Sequence, residues 1–285
     1  MSVPPPRSLS PSKVTAFTDC PLAFRLALID RLPEPPSPHA LKGTLVHSAL
    51  EGLHWRWPAG GRSLEAAEEE LDRAWELLQE DPELEALELS TEEADAFRKD
   101  AGALVRNYFE IEDPNSVKAI GIELLLQAEV GGVLLRGIID RLDLTDEGEL
   151  VVVDYKTGRA PSVNFEQGKL KGVQFYADLC ESVLGRAPVE VRLLHLREPL
   201  EITARPNPQS LRGHRRRTAA VWAAIERACS TGDFRPRPSS LCRFCSFQPL
   251  CPSHGGTPPP LPEVPEMPEV SPISAAAEQR TPLAS

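Results

Sequence analysis

Long apolar segments are missing from this 285-residue sequence: no stretch approaches the ~20 consecutive apolar residues that span a bilayer. The first residues also lack the apolar run after a basic start that marks a secretory leader. We therefore expect a cytoplasmic protein without membrane association. The G-x-x-x-x-G-K-[ST] signature is absent as well, which excludes a P-loop ATPase site in this chain.

Positive charge and aromatic residues are scarce. The net charge is −11, and aromatic residues make up 6% of the chain. The acidic excess is concentrated in residues 64–113, which contain 18 acids and 4 bases, so the remainder carries about +3. A group of arginines adds a local basic surface, at Arg205, Arg212, Arg215, Arg216 and Arg217. Such a surface is compatible with phosphate binding, and equally with one solvated helix face.

Acidic residues and a lysine follow two apolar strands that are joined by a short turn. The strands read GIIDRLD and VVVDYKTG, and the TDEG sequence between them is a hairpin turn signal. Because residues i and i+2 of a strand share a face, Asp154 and Lys156 point the same way. Asp140 can reach the same place across the hairpin. Two carboxylates and an ammonium gathered there are costly to hold unless a divalent metal binds.

The six cysteines indicate a second metal site. Three of them, Cys242, Cys245 and Cys251, have C-x2-C-x5-C spacing, and Cys20 is the candidate for a fourth ligand. In a reducing compartment, clustered thiols favour metal binding over disulfides. Four thiolates suit either zinc or a [4Fe–4S] cluster. The other two cysteines, Cys180 and Cys229, lie in apolar helical stretches, where we interpret them as core residues.

The two hairpin runs, Gly-x-x-Asp-Arg-x-Asp and Val-Val-Asp-Tyr-Lys-Thr-Gly, resemble the PD-(D/E)XK nuclease superfamily, and in particular its RecB-like exonuclease branch. The resemblance implies an α/β fold of the restriction-endonuclease type, with a mixed central sheet flanked by helices. It also implies that Asp140, Asp154 and Lys156 are catalytic.

The resemblance further implies a site for Mg²⁺ or Mn²⁺. Its expected ligands are His47 in a Gly-x-x-x-His sequence, Asp140, Asp154 and the backbone carbonyl of Tyr155. Relatives often carry an acidic residue where Glu123 stands and a tyrosine where Tyr176 stands, which makes these two residues possible accessories. A solvated strand end is the alternative interpretation of Glu123.

One distant N-terminal cysteine followed by C-terminal C-x2-C-x5-C spacing is similar to the iron–sulfur members of this branch, such as the AddB helicase–nuclease subunit and the CRISPR adaptation nucleases. The resemblance implies a [4Fe–4S] cluster that joins the two ends of the domain. Its ligands would be Cys20, Cys242, Cys245 and Cys251. Structural zinc on the same thiolates is the alternative.

The activity implied is metal-dependent hydrolysis of DNA, with single-stranded or duplex ends as substrate, in repair or recombination. A separate helicase is a candidate partner. Arg215, Arg216 and Arg217 are candidate DNA contacts. Two alternatives stay open: a non-catalytic DNA-binding or scaffold subunit of a helicase–nuclease complex, and a zinc protein with an unrelated metal hydrolase site.

With 41% apolar residues, the chain can bury one sizeable core. We predict a flexible start over 1–8, a nuclease domain over 9–252 with an acidic helical insertion at 64–113 and a cysteine knuckle at 242–251, and a disordered Pro-rich tail over 253–285. The periodicity predicts helices over 10–32, 39–57, 63–81, 90–110, 165–184 and 208–231. It predicts strands within 117–155 and over 189–196 and 201–204.

Overall fold

The computed structural model describes residues 2–160 and 166–262. Its helices are α1 (Pro11–Asp19), α2 (Pro21–Phe24), α3 (Pro38–Arg56), α4 (Leu64–Leu78), α5 (Pro82–Glu85), α6 (Thr91–Ile111), α7 (Glu166–Leu184) and α8 (Pro208–Thr231). Its strands are β1 (Ala119–Val130), β2 (Val133–Leu144), β3 (Leu150–Lys156), β4 (Glu190–His195) and β5 (Leu200–Ala204). The predicted α/β architecture is confirmed, with most element ends within a few residues of their predicted positions.

The strands form one five-stranded sheet in the order β1-β2-β3-β4-β5. The β3–β4 pair is parallel, because α7 carries the chain back across the sheet between them, and the other pairs are antiparallel. The sheet is therefore mixed, as the sequence predicts. Its centre is β3, which lies between β2 and β4 and reads as a continuous apolar run.

Helices cover both faces of the sheet. Val151 and Val153 of β3 point to one face, where they join a core with α3, α4 and α6. Leu150 and Val152 point to the other face and pack with residues of α7 and α8. The acidic segment 64–113 thus supplies α4 and α6 to one core layer, and its acids lie mainly on the outer side of these helices.

The single helix predicted over 10–32 is wrong, because the chain breaks at Cys20. This residue is extended, with φ of −158°, between α1 and α2. The cause is local: a residue before proline is sterically driven out of the helical region, and Pro21 follows. Beyond α2, Arg25–Ile29 forms a π-helical turn. The break leaves the Cys20 side chain at the end of a helix instead of inside one.

Both ends of the described chain contact the body of the protein. Val3 is buried, and its amide donates to the carbonyl of Cys229. Arg25 donates to the carbonyl of Pro259. The flexible start predicted for 1–8 stays a prediction, and most of the predicted disordered tail lies outside the described residues. Within the described part, no helix has both the length and the apolar character needed to cross a membrane.

Candidate active site

The carboxylates singled out in the hairpin lie side by side on β2 and β3. Asp140 lies inside β2, and Asp154 and Lys156 lie at the end of β3. Asp154 is buried, and the Lys156 ammonium contacts its carboxylate. The contact is made to Oδ2, so the lysine charge balances this buried carboxylate. A carboxylate that already holds one cation is suited to accept a divalent ion.

His47 faces this pair from α3. Its Nε2 atom lies 3.2 Å from the carbonyl oxygen of Tyr155, and its Nδ1 atom lies 3.6 Å from Asp140 Oδ2. A carbonyl only accepts hydrogen bonds, so Nε2 carries the proton and Nδ1 of the neutral ring has a free lone pair. The Tyr155 carbonyl therefore orients the imidazole. The amide of Tyr155 in turn donates to Asp140 Oδ2 at 2.7 Å.

Glu123 completes the cluster from a bend in β1. It stands opposite Asp140, between the ladder pairs Ile122–Arg141 and Leu124–Ile139, and its φ is +44°. Positive φ is strained for a residue other than glycine, and such strain is concentrated at functional sites. Ligand atoms of His47, Glu123 and Asp140 all lie within 4.8 Å of one another, a spacing that one metal ion can bridge.

The electrostatics of the cluster favour a bound cation. Burial, and then the neighbouring Asp154, raise the pKa of Asp140 to about 6. Burial, followed by Asp140 and Glu51, raises the pKa of Glu123 to about 7. These carboxyls are therefore costly to ionise together in the metal-free protein. A divalent cation removes that cost because it attracts both carboxylates.

Glu51 is a site neighbour that the sequence reasoning missed. It follows His47 by four residues on α3, a spacing that puts two side chains on adjacent turns of one helix face. The four-residue spacing from His47 is the sequence signal that could have identified Glu51.

Tyr176 lies on the opposite side of the cluster, where burial, followed by Asp154 and Asp140, raises the pKa of its phenol. Gly137 permits this approach, since a Cβ atom there would lie 2.9 Å from Leu179 and 3.3 Å from Tyr176.

Arg141 organises the opposite face of the hairpin. This arginine is fully buried, and its guanidinium donates two bonds of 2.9 Å to Asp143 and one of 3.0 Å to Glu112. It also donates to the phenol oxygens of Tyr108 and Tyr155, both at 3.0 Å. The side chain of Tyr155 is thus fixed by this network, while its backbone contacts the acidic cluster on the other face. Sequence reasoning did not assign these partners.

His54 adds a pH-dependent element to the network. Its Nε2 atom lies 2.8 Å from the Tyr108 hydroxyl. Burial, followed by the positive charge of Arg141, lowers the pKa of His54 to about 2. The folded protein therefore keeps this histidine neutral at a pH where the unfolded chain protonates it.

We expect His54 to weaken the fold as the pH falls below 6.5, its ordinary pKa. The unfolded chain then binds a proton that the folded state refuses, so the free energy of unfolding falls by up to about 1.4 kcal/mol per pH unit. Urea unfolding at pH 6.5 and 4.5 should show a smaller loss in His54→Gln than in the wild type. The exposed His39, changed to Gln, serves as the control. Identical losses in wild type and His54→Gln would contradict this assignment.

One cavity of about 270 Å³ is lined by all four candidate ligands, which are Cys20 and the three cysteines of the C-x2-C-x5-C pattern. Backbone amides reach two of the sulfurs: Arg237 donates to Cys20 at 3.5 Å, and Ser239 to Cys242 at 3.3 Å. Burial raises the pKa of the Cys245 thiol, and the other three thiols raise it further. The sulfurs are not a compact ligand set, because no three of these described sulfurs lie within 4.8 Å of one another. Cys180 and Cys229 are buried elsewhere, in the core.

The three adjacent arginines of α8 do not form one free surface. Arg215 donates to the buried Asp178 at 2.7 Å and contacts Glu181, so its charge is already used. Arg216 and Arg217 are exposed and form no ion pair with the described residues. Of the three arginines, Arg216 and Arg217 therefore remain the candidate phosphate contacts.

A mixed sheet with helices on both faces, carrying carboxylates and an imidazole able to hold a divalent ion, has the features of a metal-dependent nuclease. The sequence matches the PD-(D/E)XK nuclease superfamily over residues 8–252, and the chain belongs to that superfamily.

The chain is also similar to two phage proteins and to one solved structure. The Gene 69 protein of Mycobacterium phage L5 is 27% identical over 288 residues, which cover 85% of this chain and 95% of the phage protein. The Gene 69 protein of Mycobacterium phage D29 is 27% identical over 267 residues, covering 85% and 96%. The crystal structure of a candidate exonuclease from Eubacterium rectale superposes with a TM-score of 0.52 at 14% identity, covering 84% of this chain and 87% of that one. The last likeness is one of fold.

Proposed function

We propose that the protein is a Mg²⁺- or Mn²⁺-dependent deoxyribonuclease of the RecB-like branch, acting as an exonuclease on DNA ends in repair or recombination. The observation that carries the proposal is the convergence of His47, Glu123 and Asp140 within 4.8 Å beside Asp154 and Lys156. A non-catalytic subunit would have no need to keep buried carboxylates and a lysine together at a strained bend. A separate helicase would supply unwound strands.

In the proposed reaction, His47 Nδ1, the carboxylates of Asp140 and Asp154 and the Tyr155 carbonyl would hold the divalent ion, with Glu123 as an accessory ligand. The ion, when bound, lowers the pKa of a water molecule and neutralises developing phosphate charge. Lys156 leaves Asp154 to stabilise the oxygens of the phosphate or to orient the attacking water. The Tyr155 carbonyl keeps the imidazole in the tautomer with Nδ1 unprotonated.

The proposal is tested by incubating the purified protein with end-labelled single-stranded and double-stranded DNA, with Mg²⁺, Mn²⁺ or EDTA. We expect cleavage that needs the metal and that proceeds from free ends, so that circular DNA is spared. If circular DNA were cleaved as fast as linear DNA, the protein would be an endonuclease. Tight DNA binding without cleavage under any metal would favour the scaffold subunit.

We propose further that Cys20, Cys242, Cys245 and Cys251 hold a [4Fe–4S] cluster. The residues fit such a group, because four thiols line one cavity and backbone amides donate to two of the sulfurs. Hydrogen bonds to the sulfurs are a feature of iron–sulfur sites. One zinc ion would need the sulfurs about 3.8 Å apart, given tetrahedral bonds of about 2.3 Å. Because thiol side chains rotate, zinc on the same four residues remains the alternative, and metal analysis of the purified protein distinguishes the two.

Removing one of these cysteines should destabilise the whole domain. Linking Cys20 to the knuckle closes a loop of more than 200 residues, and the crosslink estimate for such a loop is on the order of 5 kcal/mol. We expect brown, iron- and sulfide-containing protein after anaerobic purification, with the colour and much of the stability lost in Cys20→Ala. The control is Cys180→Ala, which should keep its iron. Colourless protein that contains one zinc ion would show that the four cysteines bind zinc instead of an iron–sulfur cluster.

A further inference from the structure

Trp55 is an exposed indole on the helix that carries His47. Its exposed fraction is 76%, and Leu77 of α4, at 72%, stands beside it. Both line a cavity of about 150 Å³ between α3 and α4. Large apolar side chains that are exposed together around one cavity can form a binding surface. The mechanism described above uses neither of them.

The cavity has a fixed frame. Glu70 is buried and accepts hydrogen bonds from the Trp57 indole at 3.1 Å and from Arg73 at 3.3 Å. Arg56 contacts the other oxygen of the same carboxylate. Gly52 makes this arrangement possible, because a Cβ atom there would collide with the Glu70 carboxylate. A single buried carboxylate therefore holds both arginines at the cavity wall.

This cavity adjoins the acidic cluster. Ser48 and Glu51 line it, and they also line the cavity of about 420 Å³ that contains His47 and Glu123. The eight residues from His47 to Trp55 advance about 12 Å along α3. At about 3.4 Å per stacked nucleotide, this distance corresponds to three to four nucleotides of a strand.

We infer that Trp55 and Leu77 form a stacking subsite for a nucleobase of single-stranded DNA, three to four nucleotides from the scissile phosphate. The inference rests on the proposed nuclease function. A base fits better than a phosphate, because both arginines are already paired with Glu70 and the remaining charges of α4 are mainly acidic. Stacking on an exposed ring needs no net charge and accepts any base.

The test measures binding of a fluorescent single-stranded oligonucleotide of about 12 nucleotides in the Asp154→Asn background with Mn²⁺, at low and high salt. Loss of one stacked base, worth about 1–3 kcal/mol, should weaken binding in Trp55→Ala by roughly 5- to 150-fold. Trp55→Phe should retain most of the affinity, since it keeps a ring. The factor should be equal at both salt concentrations, because stacking releases no counterions. Leu200→Ala, another exposed leucine on the distant β5, is the control.

Kinetics with Asp154 intact separate a subsite from a structural role. Trp55→Ala should raise KM for long strands, and it should cleave trinucleotides as the wild type does, because these do not reach the subsite. Unchanged affinity in Trp55→Ala, or a loss that disappears at high salt, overturns the inference. The proposed nuclease function is contradicted by a different result: a wild-type protein that neither binds nor cleaves DNA.

Discussion

Asp154→Asn should abolish metal-dependent cleavage and leave the protein folded. The substitution removes a ligand charge from the cluster, and it also removes a carboxylate that raises the pKa of Asp140. The midpoint of thermal unfolding should therefore stay the same or rise in the metal-free protein, whereas added Mn²⁺ should stabilise the variant less than the wild type. End-labelled cleavage and melting with and without Mn²⁺ measure both effects.

The matched control for this substitution is Asp146→Asn, in the exposed turn between β2 and β3, which should cleave normally. Lys156→Ala should reduce the rate by roughly 10²-fold or more, as expected when a preorganised charge at the transition state is lost. Its KM should change less than its kcat. Near-normal cleavage by Asp154→Asn would show that the catalytic centre lies elsewhere.

Arg141→Met should lower the free energy of unfolding by about 3–5 kcal/mol, the usual cost of removing one partner from a buried ionic network. The change leaves Glu112 and Asp143 buried without their cation. Burial already raises the pKa of Asp143, so this carboxyl should take up a proton as the pH falls and recover part of the loss, which makes the deficit greatest near neutral pH. Urea unfolding at several pH values measures the effect.

Arg136→Met is the matched control, because Arg136 lies on the same strand with its side chain exposed. It should change stability by less than about 0.5 kcal/mol. If Arg141→Met were equally mild, the network would be dispensable, and the fixed position of Tyr155 would have to come from packing alone. Activity should fall in Arg141→Met even under conditions where it is folded, since Tyr155 then loses a contact that holds its side chain.

The fold could be predicted where its determinants are local. The hairpin that carries Asp140 and Asp154 is encoded in two apolar strand runs and one turn sequence, and both of its strands appear in the structure. The helix ends follow from caps such as Ser63 and Ser90, whose side chains accept hydrogen bonds from the first turn. The break at Cys20 is also determined locally, because Pro21 drives the preceding residue out of the helical region.

The rest depends on contacts between residues that are far apart in the chain. Glu112 lies almost thirty residues before Arg141, and no periodicity indicates that the two meet. Glu123 has a positive φ although it is not glycine, so the sequence contains no signal for this conformation. Trp55 also gives no signal in the sequence: tryptophan is usually largely buried, and only the structure shows that this indole is exposed.

The helices at the start of this domain pack against the cysteine knuckle near its end. Leu22 and Leu26 of the N-terminal region pack against Phe247 of the cysteine knuckle. At roughly 5–20 residues per second of synthesis, more than 200 residues between them take on the order of 10 to 40 s to make. During that interval the N-terminal region of the nascent chain exposes Leu22 and Leu26, because Phe247 has not yet been synthesised. A chain that stops before the knuckle leaves the same apolar surface uncovered for good.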